Sequence, residues 1–351
     1  MKIGIGVSQP TDERLRYARQ LGADGVFLAA DAAPGFRHRG YATADELAAL
    51  RARVEEYGLE LLVLRLPPQR TFATLTGGPG AEEEIEAICH TVRAAGTAGV
   101  PTVFFNLTPW RSLDVAWPAT PGGPRPTADD VRPGSGPGRY YRPTGRGGAV
   151  LLTHDRARAA ADTAQAPAEG VAPYGPISAA ELWDRVGALY RRVVPEAEAA
   201  GVNVGAHPDD PPEVTYRGVE QILNSVSGLQ RLIDLVPSPR SGLLLCLGTL
   251  HEMGEDTMGA IDHFLGQGKV FNAHFRNPRG TVPGGFYQED FLDEGDLDML
   301  AVMRLFQRHR YTGSLDPDHA VGVAGDSGGR IAFAWELGYM KALRAAVLAG
   351  G

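Results

Sequence analysis

Val202-Asn203-Val204-Gly205-Ala206-His207, followed at once by Pro208-Asp209-Asp210-Pro211-Pro212, is the run on which the fold turns. It is short, almost continuously apolar, and ends on an imidazole before a polar loop stiffened by proline. A strand buried on both faces reads this way, as strands do in a parallel sheet covered by helices; a half-exposed strand would alternate. Similar runs occur on both sides of it, at 2–7, 24–29, 59–65 and 100–106, then at 242–247, 269–275 and 312–316. Between these runs lie amphipathic stretches near 11–21, 43–57, 81–98, 178–200, 217–235, 256–267, 296–309 and 329–348. Such an alternation of strand and helix predicts an α/β fold, a parallel sheet closed into a (β/α)₈ TIM barrel. An open doubly wound sheet is the rival. It would announce itself with a glycine-rich first turn, and Val7-Ser8-Gln9-Pro10 is not one.

The length of 351 residues suits a single barrel domain over 1–351 with one insertion. The insertion is residues 109–177, after the fourth strand. It is rich in Pro, Gly and Arg, as in Pro121-Gly-Gly-Pro-Arg-Pro126 and Arg132-Pro-Gly-Ser-Gly-Pro-Gly-Arg139. A loop this long in a compact domain is either functional or disordered. In a barrel it emerges on the catalytic face, so a lid is expected, with Tyr140, Tyr141, Arg142 and Arg146 facing substrate.

Composition narrows the function. Hydrophobic residues make up 43% and charged residues 22%, as in ordinary soluble proteins. A net charge of −8 argues against a general nucleic-acid binder, which needs a basic face. The amino-terminal Met1-Lys2-Ile3-Gly4-Ile5-Gly6-Val7 reads as a strand and not as a signal peptide. No apolar run approaches the roughly 20 residues that span a bilayer. With only Cys89 and Cys246 there is no disulfide framework. A cytoplasmic, reduced, soluble enzyme is expected, with no membrane or nucleic-acid partner and with a homo-oligomeric assembly. Cys89, in a helix-like segment, reads as a small buried hydrophobe.

The chemistry gathers at the strand ends. Besides His207, the sixth strand ends on Cys246, the seventh on His274, and the eighth on Asp316-Pro317-Asp318-His319. In a barrel the carboxyl ends of different strands converge on one pocket. Two neutral imidazoles, a thiolate and a carboxylate, from His207, Cys246, His274 and Asp318, suit a divalent ion. Taken singly, each has a structural reading: a satisfied core histidine, a buried thiol, a cap or solvated acid. All four at consecutive strand ends favour one shared metal site. Arg276, two residues beyond His274, points the same way and suits a substrate carboxylate, against the plainer reading of a rim salt bridge. Asp209 and Asp210 are placed to orient ligands. His319 is an acid or base near neutral pH.

These residues resemble the mannonate dehydratase family, whose barrel is related to the xylose-isomerase-like enzymes. The likeness rests on His207-Pro-Asp-Asp-Pro-Pro212, Cys246-Leu-Gly-Thr249, His274-Phe-Arg-Asn277 and Pro317-Asp-His319. Asp293-Glu-Gly-Asp-Leu-Asp-Met299 and Asn106 with Trp110 add to it. The resemblance implies conversion of D-mannonate, a small anionic sugar acid, to 2-keto-3-deoxy-D-gluconate with a divalent ion. Mn²⁺ is the expected metal, with Zn²⁺, Fe²⁺ or Co²⁺ as alternatives. It implies His207, Cys246, His274 and Asp318 as ligands and His319 in acid–base catalysis; the residues themselves add Arg276 and Asp209 as catalytic candidates. Asn106, Trp110, Arg276, Arg330, Tyr141 and Arg142 are the expected substrate contacts. One departure stands out. The family uses a tyrosine beyond the Asp-His pair as a second acid–base group, and here Arg330 stands near its place, as a divergent paralogue would have it. A metal-dependent sugar isomerase or epimerase on the same barrel, or a non-catalytic sugar-acid binding protein, are the other readings.

Overall fold

The computed structural model describes residues 1–109, 132–133, 138–165, 175–326 and 328–350. Eight parallel strands close into a barrel: β1 (Lys2–Val7), β2 (Gly25–Ala29), β3 (Glu60–Arg65), β4 (Thr102–Asn106), β5 (Asn203–His207), β6 (Ser241–Cys246), β7 (Val270–His274) and β8 (Ser314–Asp316). Each pairs with its neighbours in sequence, and β1 closes the ring on β8 through Lys2 opposite Ser314 and Ile3 opposite Leu315. The expected (β/α)₈ architecture is therefore the observed one.

The covering helices are α1 (Asp12–Gln20), α2 (Ala44–Glu55), α3 (Ala81–Ala98), α4 (Ala179–Ala200), α5 (Val226–Leu235), α6 (Thr257–Gly266), α7 (Met299–Arg308) and α8 (Arg330–Ala349). Their ends follow local chemistry. Thr43 with Glu46 and Ser178 with Glu181 form reciprocal caps that satisfy the first free N–H groups of α2 and α4. Gly99 and Gly201 end α3 and α4 in the left-handed conformation that glycine adopts without a Cβ clash. The helix expected over 217–235 begins only at Val226. Asp209 captures the N–H groups of Ile222 and Leu223, and Ser225 caps the helix on Gly228.

The main core lies between barrel and helices, from Ile3 and Leu15 to Phe306 and Leu337. Inside the barrel a second layer consists of Phe27, Leu62, Val63, Phe104, Leu244 and Cys246. Gly4 faces this layer, where a Cβ would stand 2.8 Å from the Phe27 ring. A small residue opposite a large one fills the taper of a barrel. The layer forms the floor of whatever sits at the mouth.

A five-stranded antiparallel sheet extends beyond β7. A hairpin of Asn277–Thr281 and Phe286–Asp290 starts it. Leu151–Asp155, Arg139–Arg142 and Arg132–Pro133 complete it, all drawn from the segment 109–177. Val150 also exchanges two backbone hydrogen bonds of 2.8 Å with Gly322, in the loop after β8.

Candidate metal centre and active site

The floor of the mouth is apolar. The Phe104 ring meets the His274 ring edge-on, with centroids 6.3 Å apart. Above it the ends of β5, β6 and β7 carry His207, Cys246 and His274, whose ligand atoms all lie within 4.8 Å of one another. His207 Nε2 is 3.2 Å from His274 Nδ1. The other nitrogen of His207 lies 2.6 Å from the Pro208 carbonyl, to which it donates, leaving Nε2 as the lone-pair nitrogen toward the cluster. Asp318 Oδ2 is 3.1 Å from His274 Nδ1, and Asp316 Oδ2 is 3.7 Å from His274 Nε2. Asp316 is fixed in turn by Asn272 Nδ2 at 3.1 Å.

Electrostatics agree with the donor chemistry. Burial opposes ionisation of Cys246, yet Arg276 and the two imidazoles outweigh it and hold the thiol well below its ordinary range. Burial likewise disfavours a charged His274, but Asp318 and Asp316 raise it well above a normal histidine. The imidazole edge is thus ringed by negative charge. Two nitrogen ligands about 2.1 Å from one ion stand about 3.0–3.4 Å apart in octahedral or tetrahedral geometry, and the His207–His274 separation falls in that range. The residues present therefore fit a divalent metal ion.

Beside this group lies a buried histidine–carboxylate pair. His319, in the left-handed conformation at φ 53°, directs Nδ1 to Glu289 Oε1 at 3.0 Å. Burial, together with the nearby Arg276 charge, lowers its pKa to about 4. The ring is neutral at pH 7, donating to Glu289 through Nδ1 and leaving the lone pair on Nε2. Nε2 lies 3.6 Å from Asp318 Oδ2, so the proton-accepting nitrogen faces the cluster.

Arg276 is the strut of the site. It is 2% exposed. It donates through Nε to Glu289 at 3.0 Å, through one terminal nitrogen to Asp210 and to the Cys246 sulfur at 3.0 Å each, and through the other to Glu252 at 2.9 Å, with a further contact to Glu289. A charge buried this deeply costs several kcal/mol unless matched, and its donors are already committed to protein acceptors. That saturation gives it a holding role, where sequence suggested a free clamp for substrate. Asp209, also expected among catalytic groups, spends its carboxylate on the N–H groups of Ile222 and Leu223 at 3.0 and 2.7 Å, fastening the β5 loop. Burial raises it to about 6.

The remaining expected contacts divide. Asn106 ends β4 in register with His207, so both side chains face the mouth. Tyr141 is buried on the same sheet face as Arg139, whereas Arg142 alternates to the opposite face, 6.0 Å over the Tyr140 ring. Arg146 packs 4.0 Å over Phe291 and pairs with Asp293 at 2.7 Å. Arg330 is engaged at the rim, paired with Glu13 at 2.8 Å and stacked on Tyr17. Trp110 lies outside the described residues. Sequence reasoning missed Glu289, Glu252, Arg139 and Tyr287. The only signal was the run Tyr287-Gln-Glu-Asp290 just past Arg276, which pairing alone brings back to the mouth.

A parallel eight-stranded barrel with imidazole, thiolate and carboxylate groups at its carboxyl mouth defines a class, the metal-dependent enzymes of small polar substrates. Comparison with known proteins narrows it. The family model described as D-mannonate dehydratase (UxuA) matches residues 159–348. Mannonate dehydratase 2 of Halalkalibacterium halodurans is 29% identical over 331 residues, covering 91% of this chain and 90% of that protein. Mannonate dehydratase of Streptococcus equi subsp. zooepidemicus is 27% identical over 296 residues, covering 79% and 74%. Among solved structures, mannonate dehydratase from Streptococcus suis serotype 2 superposes with a TM-score of 0.77 at 23% identity, covering 100% of this chain and 94% of that one. An L-ribulose 3-epimerase shares the fold at a TM-score of 0.60 and 14% identity, covering 99% and 96%.

The chain belongs to the D-mannonate dehydratase (UxuA) family. It is a hydro-lyase, a dehydratase of sugar acids, and its family is metal-dependent. No helix among the described residues is long and apolar enough to cross a membrane.

Proposed function

We propose that this enzyme dehydrates D-mannonate, or a closely related aldonate, to a 2-keto-3-deoxy acid, with His207, Cys246, His274 and Asp318 holding Mn²⁺. The observation that carries this reading is the joint placement at one barrel mouth of the four donors and the neutral His319–Glu289 pair. When bound, the ion supplies Lewis acidity that stabilises enediolate-like charge on the substrate. The protein's own residues do the rest. His319 Nε2 takes the C2 proton while Nδ1–H stays on Glu289, so the base keeps one tautomer throughout. The C3 hydroxyl leaves as water, taking the proton that His319 Nε2 has accepted from C2 and so restoring the neutral ring, and the enol tautomerises to the ketone. Arg276 keeps the sulfur and Glu289 aligned during this exchange. Asn106, Trp110 and Tyr141 are proposed to line the substrate.

We take residues 1–351 as one domain, with 109–177 as a lid on the catalytic face. A cytoplasmic homo-oligomer is the proposed working form. The epimerases that superpose on this chain share only its fold. The experiment is an aldonate screen with metal-loaded protein, read by the periodate–thiobarbiturate assay for 2-keto-3-deoxy product. Colour from D-mannonate supports the reading; an isomerised substrate of unchanged mass would overturn it.

A further inference from the structure

One face of the five-stranded sheet is aimed at the loop after β5. Tyr287, His154 and Arg139 lie directly opposite one another across three adjacent antiparallel strands, and opposed residues present side chains on the same face. All three reach one short run of chain. Tyr287 donates its hydroxyl to Asp210 Oδ1 at 3.2 Å, and Arg139 donates to the same oxygen at 2.9 Å. His154 Nε2 lies 2.8 Å from Glu213 Oε1. The other oxygen of Asp210 accepts from an Arg276 nitrogen at 3.0 Å, and that nitrogen is 3.0 Å from the Cys246 sulfur. A continuous line of charge-assisted contacts therefore runs Arg139–Asp210–Arg276–Cys246. A branch passes from Arg276 through Glu289 to His319.

We propose that Arg139, on a strand of the insertion, is a positioning residue for the dehydration: acting through Asp210, it fixes the guanidinium of Arg276 and so the aim of Cys246 and of the Glu289–His319 pair. The claim rests on the functional reading above. Its physical basis is competition for one carboxylate. With Arg139 present, Asp210 is shared between two cations, one oxygen each. Without Arg139, Oδ1 keeps only the Tyr287 hydroxyl, and the carboxylate turns toward Arg276 in the bidentate geometry a guanidinium favours, which draws the guanidinium off the sulfur. Burial makes the arrangement stiff. The Arg139 side chain is 6% exposed and that of Asp210 11%, so water is a poor substitute for either. The same inserted segment also pins the loop bearing Asp318 and His319 through the Val150–Gly322 pair.

The test uses full-length Arg139→Met, Arg139→Lys, Asp210→Asn and the Arg139→Met/Asp210→Asn double variant. Arg139→Met is expected to lower kcat roughly 30-fold or more with KM within about threefold, the signature of misplaced groups and not of lost binding. Arg139→Lys keeps one donor and returns most of the turnover. The Met and Asn effects are strongly non-additive, since they act on one line. In Co²⁺-loaded protein the sulfur-to-cobalt charge-transfer band is displaced in Arg139→Met and restored in Arg139→Lys. A raised KM at normal kcat, additive effects, or an unmoved cobalt band would each overturn the proposal. Should Arg139→Met fail to fold, the double variant removes both buried charges, and an unmoved band there decides against it. The cobalt readout needs no substrate. Absence of turnover in the unaltered enzyme with every aldonate would sink the functional reading while leaving the positioning claim to the band.

Discussion

His207 Nε2 stands 3.2 Å from His274 Nδ1 across 67 positions of sequence. Two imidazoles meet at that distance, beside a thiol held well below its usual range, because β6 lies between their strands: Cys246 is in register with His274, and Leu243 with Ala206, the residue before His207.

Replacing Cys246 by Ser removes the thiolate and leaves a neutral, weaker donor. Metal affinity is expected to fall by more than about tenfold, the loss already typical of outer partners. Elemental analysis after dialysis reads this directly. Added Mn²⁺ at a hundredfold excess over Kd should stabilise the unaltered enzyme by about 2.7 kcal/mol and the variant far less. Stoichiometric metal in the variant would exclude Cys246 as a ligand.

His319→Asn is expected to leave metal content intact and lower kcat by about 10²- to 10⁴-fold, the usual worth of a positioned base. Glu289→Gln should give a smaller loss with the same metal content, because the ring survives but the tautomer is no longer enforced. Normal turnover in His319→Asn refutes the assignment.

Gly248 lies in the short helix Leu247–Glu252 that follows β6, and a Cβ there would stand 2.8 Å from Arg276 Nε. Gly248→Ala therefore pushes on the buried guanidinium that bonds the Cys246 sulfur. The expected outcome is lower kcat by at least about tenfold, in keeping with the cost of small displacements at an active site, and retained far-ultraviolet circular dichroism. Full activity would mean that the guanidinium tolerates displacement.

Glu46 offers a test of stability against pH remote from the chemistry. Burial opposes its charge, but Arg39 and the N–H groups of Thr43 and Gly35 outweigh burial and hold it at about 2, below its ordinary 4.5. A depressed carboxylate stabilises the fold fully above its unfolded pKa and ceases to as pH falls through the folded one. Glu46→Gln should cost about 1 kcal/mol at pH 7, as lost caps do, and the difference should shrink between about pH 4.5 and 2. A gap that persists unchanged to pH 2 would rule out the charged cap.

The eight strands and their covering helices were legible because a strand buried on both faces leaves a continuous apolar run, such as Leu243-Leu244-Leu245, whatever it packs against. His207, Cys246, His274 and Asp318 were legible as a group for a related reason: a closed barrel brings its strand ends together, so position along each strand stands in for position in space. Tertiary structure alone decided the rest. Glu289 and Tyr287 come back to the mouth through the hairpin they form with Asn277–Thr281, and Arg139 reaches Asp210 only after the inserted segment pairs with that hairpin, more than a hundred residues away in the chain. Antiparallel register between distant segments leaves no periodic mark in composition. Whether a charged side chain such as Arg276 serves substrate or scaffold depends on which acids surround it, and that is settled by packing.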